Sequence, residues 1–172
     1  ALLFVLLAPV NRTLSLIAMV FRLAQASVLG ANLVNLQRAV SLAHDRLLEV
    51  TQRDALVNDA LQAHAAGYDL GLFFFGVSCL VTASLLLRVR VVPRVIGIGI
   101  GAAGLVYLAG SSLRFAAPDL ALAFAPAYLL PLVTEVAFCA WLLVRGLDVR
   151  PAAGAVGLAG HRAPSSTPPG LA

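Results

Sequence analysis

The sequence contains no lysine, and its 12 basic residues are all arginines. Charged residues make up only 12% of the 172 residues, whereas soluble domains carry about a quarter. The arginines are scattered between apolar runs, so the net charge of +4 forms no continuous basic surface of the kind that binds nucleic acid. Because 60% of the residues are hydrophobic, the composition predicts an integral membrane protein whose first partner is the lipid bilayer.

Cysteine and histidine are also scarce. The two cysteines, Cys79 and Cys139, lie inside apolar runs, and no CxxC or Cys/His cluster has the spacing of a metal site. The serines of the apolar runs have no histidine and carboxylate companions that would activate them. We therefore expect no catalytic residue, no metal and no cofactor. An intramembrane enzyme is the least favoured of the possible functions.

The apolar runs predict an all-α fold, a membrane helical bundle over residues 1–148. It would contain one truncated N-terminal helix, four complete transmembrane helices and a short amphipathic outer helix. The spans are expected at about 1–8 (truncated), 13–40, 68–88, 95–115 and 120–145. We expect the chain to be a fragment, because it opens within a hydrophobic run, and residues 149–172 to be a disordered tail rich in Pro, Gly and Ser.

Two local signals refine these spans. The stretch Thr51-Gln-Arg-Asp54 has capping-box spacing and precedes an apolar stripe, so the amphipathic outer helix should begin there and end or bend at Gly67. Pro126 and Pro131 should kink the last span, because proline removes a backbone donor inside a helix. Thr13 offers an N-cap for the first long helix.

The arginines also predict an orientation. Seven of them flank alternate turns, accompanied by Asp148 alone: Arg12, Arg88, Arg90, Arg94, Arg145, Arg150 and Arg162. The opposite turns mix arginines with five carboxylates: Asp45, Glu49, Asp54, Asp59 and Asp119. The positive-inside rule therefore predicts a multi-pass protein of the cell membrane with a cytoplasmic C-terminus.

A polar stripe runs along the first long span. Arg22, Gln25, Asn32 and Asn35 fall on one side of the helix, and this polar side cannot be turned toward acyl chains. Arg22 lies ten residues beyond Arg12 and Glu135 ten before Arg145, so each is about 15 Å deep in a core of roughly 30 Å. We expect Arg22 and Glu135 to pair, with Gln25 completing a buried polar seam.

A second polar level is expected near the outer interface. Asp69 and Arg114 lie about 28–30 Å from the cytoplasmic arginines. Asn32 and Asn35 reach a similar level, and the four residues could together line an outer vestibule. The simpler interpretation is favoured for this level. In that interpretation Asp69 caps a helix, Arg114 extends to the interface and the carboxamides join helices.

A glycine-rich stretch marks the third complete span. Gly97, Gly101 and Gly104 have the spacing of a close helix-packing face. Gly97-Ile-Gly99-Ile-Gly101-Ala-Ala-Gly104 also contains a string like a dinucleotide fingerprint, but it lies inside an apolar run without a βαβ unit around it. We therefore expect it to pack against a helix, either within the bundle or in a partner or second copy.

Several short motifs together resemble a large family of uncharacterised bacterial membrane proteins, the domain-of-unknown-function family 4386. The motifs are Leu6-Leu-Ala-Pro9-Val-Asn11-Arg12, Phe21-Arg22-Leu23, Gly30, Tyr68-Asp69, Val92-Pro93-Arg94 with Gly97, and Glu135 followed by Trp141-Leu-Leu-Val-Arg145-Gly146. The resemblance covers residues 1 to about 148. It implies about six spans, of which this chain lacks the first and part of the second, and it brings no established activity. Ala8, where the family more often has a basic residue, and the Pro-rich tail depart from the family pattern.

Two functions remain open. In the first, the polar seam binds or moves a small polar solute, a proton or a lipid headgroup. In the second, the protein is a structural or partner-binding membrane subunit in which the seam only fixes helix packing.

Overall fold

The structure, a computed structural model, describes residues 2–88 and 92–145. Within these ranges the chain is helical apart from short connections, and it contains no strand. The helices are α1 (Leu2–Leu7), α2 (Arg12–Ala43), α3 (Val50–Leu86), α4 (Arg94–Ala116), α5 (Pro118–Phe124) and α6 (Leu129–Arg145). By length and apolar composition α2, α3, α4 and the α5–α6 segment can each cross a membrane. The chain is therefore an all-α membrane helical bundle, as its composition predicts. The tail expected to be disordered, residues 149–172, lies outside the described residues.

The first long helix has nearly the predicted bounds but a different cap. α2 begins at Arg12, and the side chain of Asn11 accepts a hydrogen bond of 3.0 Å from the backbone N–H of Leu14. Asn11 rather than Thr13 therefore satisfies the first turn, since asparagine is the stronger N-cap. At 1.5 Å per residue α2 is about 48 Å long, which exceeds a bilayer core of about 30 Å.

The expected amphipathic outer helix is helical, but it is not a separate element. Residues 51–66 belong to α3, a continuous helix of 37 residues that passes through Gly67 without a break. Gly67 instead makes room for α2, because a Cβ at this position would collide with the side chain of Asn32. α2 and α3 therefore continue past the expected outer interface as a packed helical hairpin joined at residues 44–49.

The last span is interrupted at Pro126. α5 ends at Phe124, a 3-10 turn covers Ala125–Tyr128, and α6 starts at Leu129. Pro131 falls in the first turn of α6, where a missing N–H costs least, so only one of the two prolines breaks the helix. The break directs the side chain of Tyr128 toward Gly110 of α4.

The helices pack in chain order, α2 against α3, α3 against α4, and α4 against α6. α3 is the central helix. In its apolar stretch of 18 residues 61% of the residues are buried, compared with 39% for α4 and 11% for both α2 and α5–α6. The main core lies where the ends of α3, α4 and α6 meet α1, around Leu7, Leu85, Leu86, Ile100 and Phe138. The sequence order of the helices thus places α3 and α4 between α2 and α6.

Candidate ligand-binding site

One cavity, whose wall contains both an acidic and a basic side chain, lies between α3, α4 and α5. It has a volume of about 400 Å³, within the range of small-molecule sites, and we refer to it as the outer cavity. Its lining combines two charged residues, three tyrosines and small or apolar residues: Asp69, Arg114, Tyr68, Tyr107, Tyr128, Gly110, Leu72, Ala121, Leu122 and Ala125.

Asp69 and Arg114 form an ion pair in the wall of the outer cavity. The Nε–H of Arg114 donates to Oδ2 of Asp69 over 2.7 Å. The Asp69 side chain is only 8% exposed, whereas that of Arg114 is 48% exposed. Within the described part of the chain Arg114 makes no further hydrogen bond, so its terminal nitrogens are free to bind a ligand. Asp69 lies deep within α3, and it therefore does not cap a helix as the simpler interpretation expected.

Aromatic side chains form the inner end of the outer cavity. The rings of Phe75 and Tyr107 lie 5.2 Å apart between centroids, those of Tyr107 and Tyr128 6.0 Å apart, and Phe124 packs against Tyr128. Gly110 allows Tyr128 to reach α4, because any side chain at this position would occupy the place of the phenol. The break at Pro126 and the glycine in α4 therefore build this end of the cavity together.

The structure does not bring Arg22 and Glu135 into a direct ion pair. The Arg22 guanidinium stacks on the ring of Phe75, with its carbon 4.7 Å from the centroid. Glu135 accepts a hydrogen bond of 2.7 Å from the hydroxyl of Tyr107. Among residues 2–88 and 92–145 neither charge has an oppositely charged atom within 4.0 Å. The expected pair is therefore replaced by a sequence of contacts through two aromatic rings.

The lateral order of the helices explains this difference. Arg22 contacts Phe75 of α3, Phe75 packs against Tyr107 of α4, and Tyr107 bonds to Glu135. The common depth counted from helix rise stays a prediction. However, α3 and α4 stand between α2 and α6, and a common depth does not bring non-neighbouring helices into contact. Arg22 also borders a cavity of about 50 Å³ beside Ser15, Ser78 and Thr82, which has room for a water molecule.

The carboxamides of the polar stripe, all of them in the described part of the chain, do not bond to Arg22 or Glu135. Asn32 donates to the backbone carbonyl of His64 over 2.8 Å, and Asn35 donates to the Asn32 side chain over 3.0 Å. Asn32 therefore joins α2 to α3, Asn35 supports Asn32 within α2, and neither lines the outer cavity. Gln25 is half-buried on α2 and forms no hydrogen bond with Arg22 or Glu135 in the described ranges.

The three predicted packing glycines lie on the side of α4 that faces α3, but they differ in how closely the helices meet. A Cβ at Gly104 would lie 2.8 Å from the backbone oxygen of Gly76 in α3. At Gly97 the nearest atom belongs to the flexible Leu87 side chain, at 3.0 Å, and at Gly101 it is the Ala83 Cβ at an ordinary 3.4 Å. The closest backbone approach is therefore between Gly76 and Gly104.

Comparison with known proteins gives a family but no activity. Residues 1–146 match the family described as Domain of unknown function (DUF4386). The chain belongs to this family. No curated protein and no solved structure matches it. Among the described residues of this DUF4386 protein, no three His, Cys, Asp or Glu side chains come together as a metal site would require.

The sequence interpretation of this DUF4386 chain missed the tyrosines. Tyr107 and Tyr128 line the outer cavity and a second cavity beside Glu135, so both belong to the candidate site. A signal was available, because a tyrosine inside an apolar span needs a partner for its hydroxyl, and Glu135 was an acceptor at mid-membrane depth. Gly76 and His64 gave no comparable signal, since a single glycine and a backbone acceptor look ordinary in sequence.

Proposed function

We propose that this protein binds a small polar solute or lipid headgroup bearing an anionic group, in the outer cavity. The observation that supports this is the state of Arg114, which uses only Nε–H to hold the buried Asp69 while its terminal nitrogens remain free at the cavity. A guanidinium fixed by a carboxylate on one side presents a planar pair of donors on the other. That geometry suits a phosphate or carboxylate group.

The position of the cavity along the helix favours the same ligand class. Arg114 lies twenty residues from Arg94 on α4, about 30 Å along the helix, which is the full thickness of a bilayer core. Headgroup phosphates and solutes from the aqueous side both reach this level. The hydroxyl groups of Tyr68 and Tyr128 offer further hydrogen bonds to a polar ligand there.

The test uses the purified chain in dodecyl maltoside micelles, which contain no phosphate or carboxylate, with unfolding followed by the fluorescence of its single tryptophan, Trp141. Glycerol 1-phosphate is added from solution in one arm, and phosphatidylglycerol is added to the micelles in the other. A ligand at about 100 times its Kd should stabilise the protein by about 2.7 kcal/mol, which raises the midpoint by about 5–10 °C. The arm that responds distinguishes a free solute from a lipid headgroup.

The informative variant is the double change Asp69→Asn with Arg114→Gln, which keeps a donor and an acceptor but removes both charges. We expect it to lose the ligand response, whereas Arg38→Gln should keep it because Arg38 is exposed on α2 and does not line the cavity. An equal response in the double variant and the wild type, or no response in either arm, would show that the outer cavity is not an anion site.

A structural role is the second candidate, and a specific set of contacts favours it. Asn32 and Ser78 each bridge α2 and α3 through a backbone carbonyl, and Arg22 stacks on Phe75 between the same helices. The exposed apolar face of α2 would then meet a helix of a partner or of a second copy. In this case the Asp69 and Arg114 changes would lower the folded yield without altering any response to ligands.

We also propose that the protein lies in the cell membrane with its C-terminus in the cytoplasm. The support is the asymmetry of the arginines across alternate turns. A fluorescent-protein reporter fused after Arg94 should fluoresce in cells, and one fused after Ala117 should not, because it would be exported. Fluorescence from the fusion at Ala117 would show that the orientation is the opposite of the one proposed.

A further inference from the structure

A second cavity, the lateral groove, runs along α6 on the other side of the tyrosines. Its volume is about 500 Å³. The residues that line it are Tyr107, Tyr128, Leu132, Glu135, Val136, Cys139, Ala140 and Leu143. Leu132, Val136 and Leu143 are exposed, so in a bilayer the groove opens toward lipid and not toward water. An occupant of this groove therefore needs an apolar body.

The only charge in the groove is negative. Glu135 accepts a hydrogen bond from the Tyr107 hydroxyl, and within the described ranges no basic nitrogen lies within 4.0 Å of its carboxylate. The guanidinium of Arg22 stacks on Phe75, and none of its nitrogens lies within 4.0 Å of the Glu135 carboxylate. A carboxylate about 15 Å from the helix end at Arg145 is costly without a neutralising partner. Charge complementarity therefore favours a cation as the occupant.

The tyrosines add a second recognition element for a cation. The rings of Tyr107 and Tyr128 border the groove, with centroids 6.0 Å apart and planes inclined at 52°. Faces of aromatic rings attract quaternary and other soft cations, and the attraction is larger where water is excluded. Aliphatic side chains of α6 continue the groove from this polar end.

We propose that the lateral groove binds a lipophilic cation, such as a hydrophobic amine or a quaternary ammonium or phosphonium compound. Its charge lies against Glu135 and the two tyrosines, and its apolar body lies along Leu132, Val136 and Leu143. This site is distinct from the outer cavity, because it takes a ligand of the opposite charge, uses a different carboxylate and is entered from the membrane. Its test therefore does not depend on the anion experiment.

The probe is tritiated tetraphenylphosphonium, with uncharged tetraphenylmethane, added with the disc lipid, as a competitor of the same shape. Binding is measured on the full chain in phosphatidylcholine nanodiscs. Glu135→Gln should lower the affinity at least about tenfold, because the charge is lost while the glutamine carbonyl still accepts from Tyr107. Glu49→Gln is the matched control, since Glu49 is exposed in the α2–α3 connection and makes no side-chain cap. Tetraphenylmethane should not compete.

A second pair of variants separates loss of binding from loss of fold. Val136→Trp fills the groove and leaves Glu135 unchanged, so it should abolish binding. Val133 lies on an exposed part of α6 outside the groove, so Val133→Trp should not abolish binding. Equal phosphonium affinity in wild type, Glu135→Gln and Val136→Trp would overturn the proposal, as would displacement by tetraphenylmethane. Efficient crosslinking of Cys139 between copies in native membranes would also overturn it, by showing that a second chain fills the groove.

Discussion

Gly104→Leu should prevent the chain from reaching its folded, monodisperse state. The Cβ alone would lie 2.8 Å from the backbone oxygen of Gly76, and neither helix backbone can move without losing the rest of the α3–α4 contact. Overpacking a close contact usually costs 1–3 kcal/mol, and we expect at least about 3 kcal/mol where two backbones meet. The measurements are the monodisperse fraction in size-exclusion chromatography and the thermal unfolding midpoint in micelles.

Other glycines of the same chain provide graded controls. Gly30→Leu should fold normally, because no atom lies within 4 Å of a Cβ placed there. Gly101→Ala should also be tolerated, since its Cβ would meet the Ala83 Cβ at 3.4 Å. If Gly104→Leu behaved like Gly30→Leu, α3 and α4 would not cross at Gly76 and Gly104.

Arg114→Ala should destabilise the protein far more than Asp69→Ala. Removing the arginine leaves a carboxylate that is 8% exposed without its cation, which costs about 3 kcal/mol. Removing the carboxylate leaves a half-exposed guanidinium that can reach water or headgroups, at a cost of about 1 kcal/mol or less. The double alanine variant should therefore be more stable than Arg114→Ala alone. Unfolding midpoints of the four proteins in micelles measure this difference.

The Arg53–Asp54 pair is the internal control for that cycle. Its atoms lie 3.7 Å apart and Asp54 is exposed, so alanine at either position should change the stability by no more than about 0.5 kcal/mol. Equal costs for Asp69→Ala and Arg114→Ala would contradict the buried position of Asp69. In the proposed anion site, Asp69 would be the group that anchors Arg114 for a ligand.

The number of long helices was predictable from the sequence, but the points where helices end, continue or break were less predictable. Apolar runs and the bilayer length gave the spans, because a helix must satisfy its own backbone in lipid. Gly67 was expected to end or bend a helix, yet α3 continues through it. A small residue is needed there because the Asn32 side chain packs against this position. The same residue type serves as a break or as a contact, and only a neighbouring helix distinguishes these roles.

The candidate site shows the same limit. Helix rise predicts one depth for Arg22 and Glu135, but the structure gives them different partners, Phe75 and Tyr107. The expected outer vestibule is reduced to Asp69 and Arg114, because Asn32 bonds to the His64 carbonyl of α3 and Asn35 bonds to Asn32. Depth follows from counting residues along one helix, whereas the partner of a side chain depends on which helix stands beside it.

The sequence by itself determined the membrane class and the four long apolar helices. These properties follow from composition and from the fixed rise of a helix within a layer of fixed thickness. Only the tertiary structure decided that α3 and α4 separate Arg22 from Glu135, and that Tyr107 and Tyr128 stand between a cavity bearing Arg114 and a groove bearing Glu135. The lateral order and rotation of helices depend on contacts between distant residues, such as Gly76 with Gly104, and no periodicity along one helix encodes them.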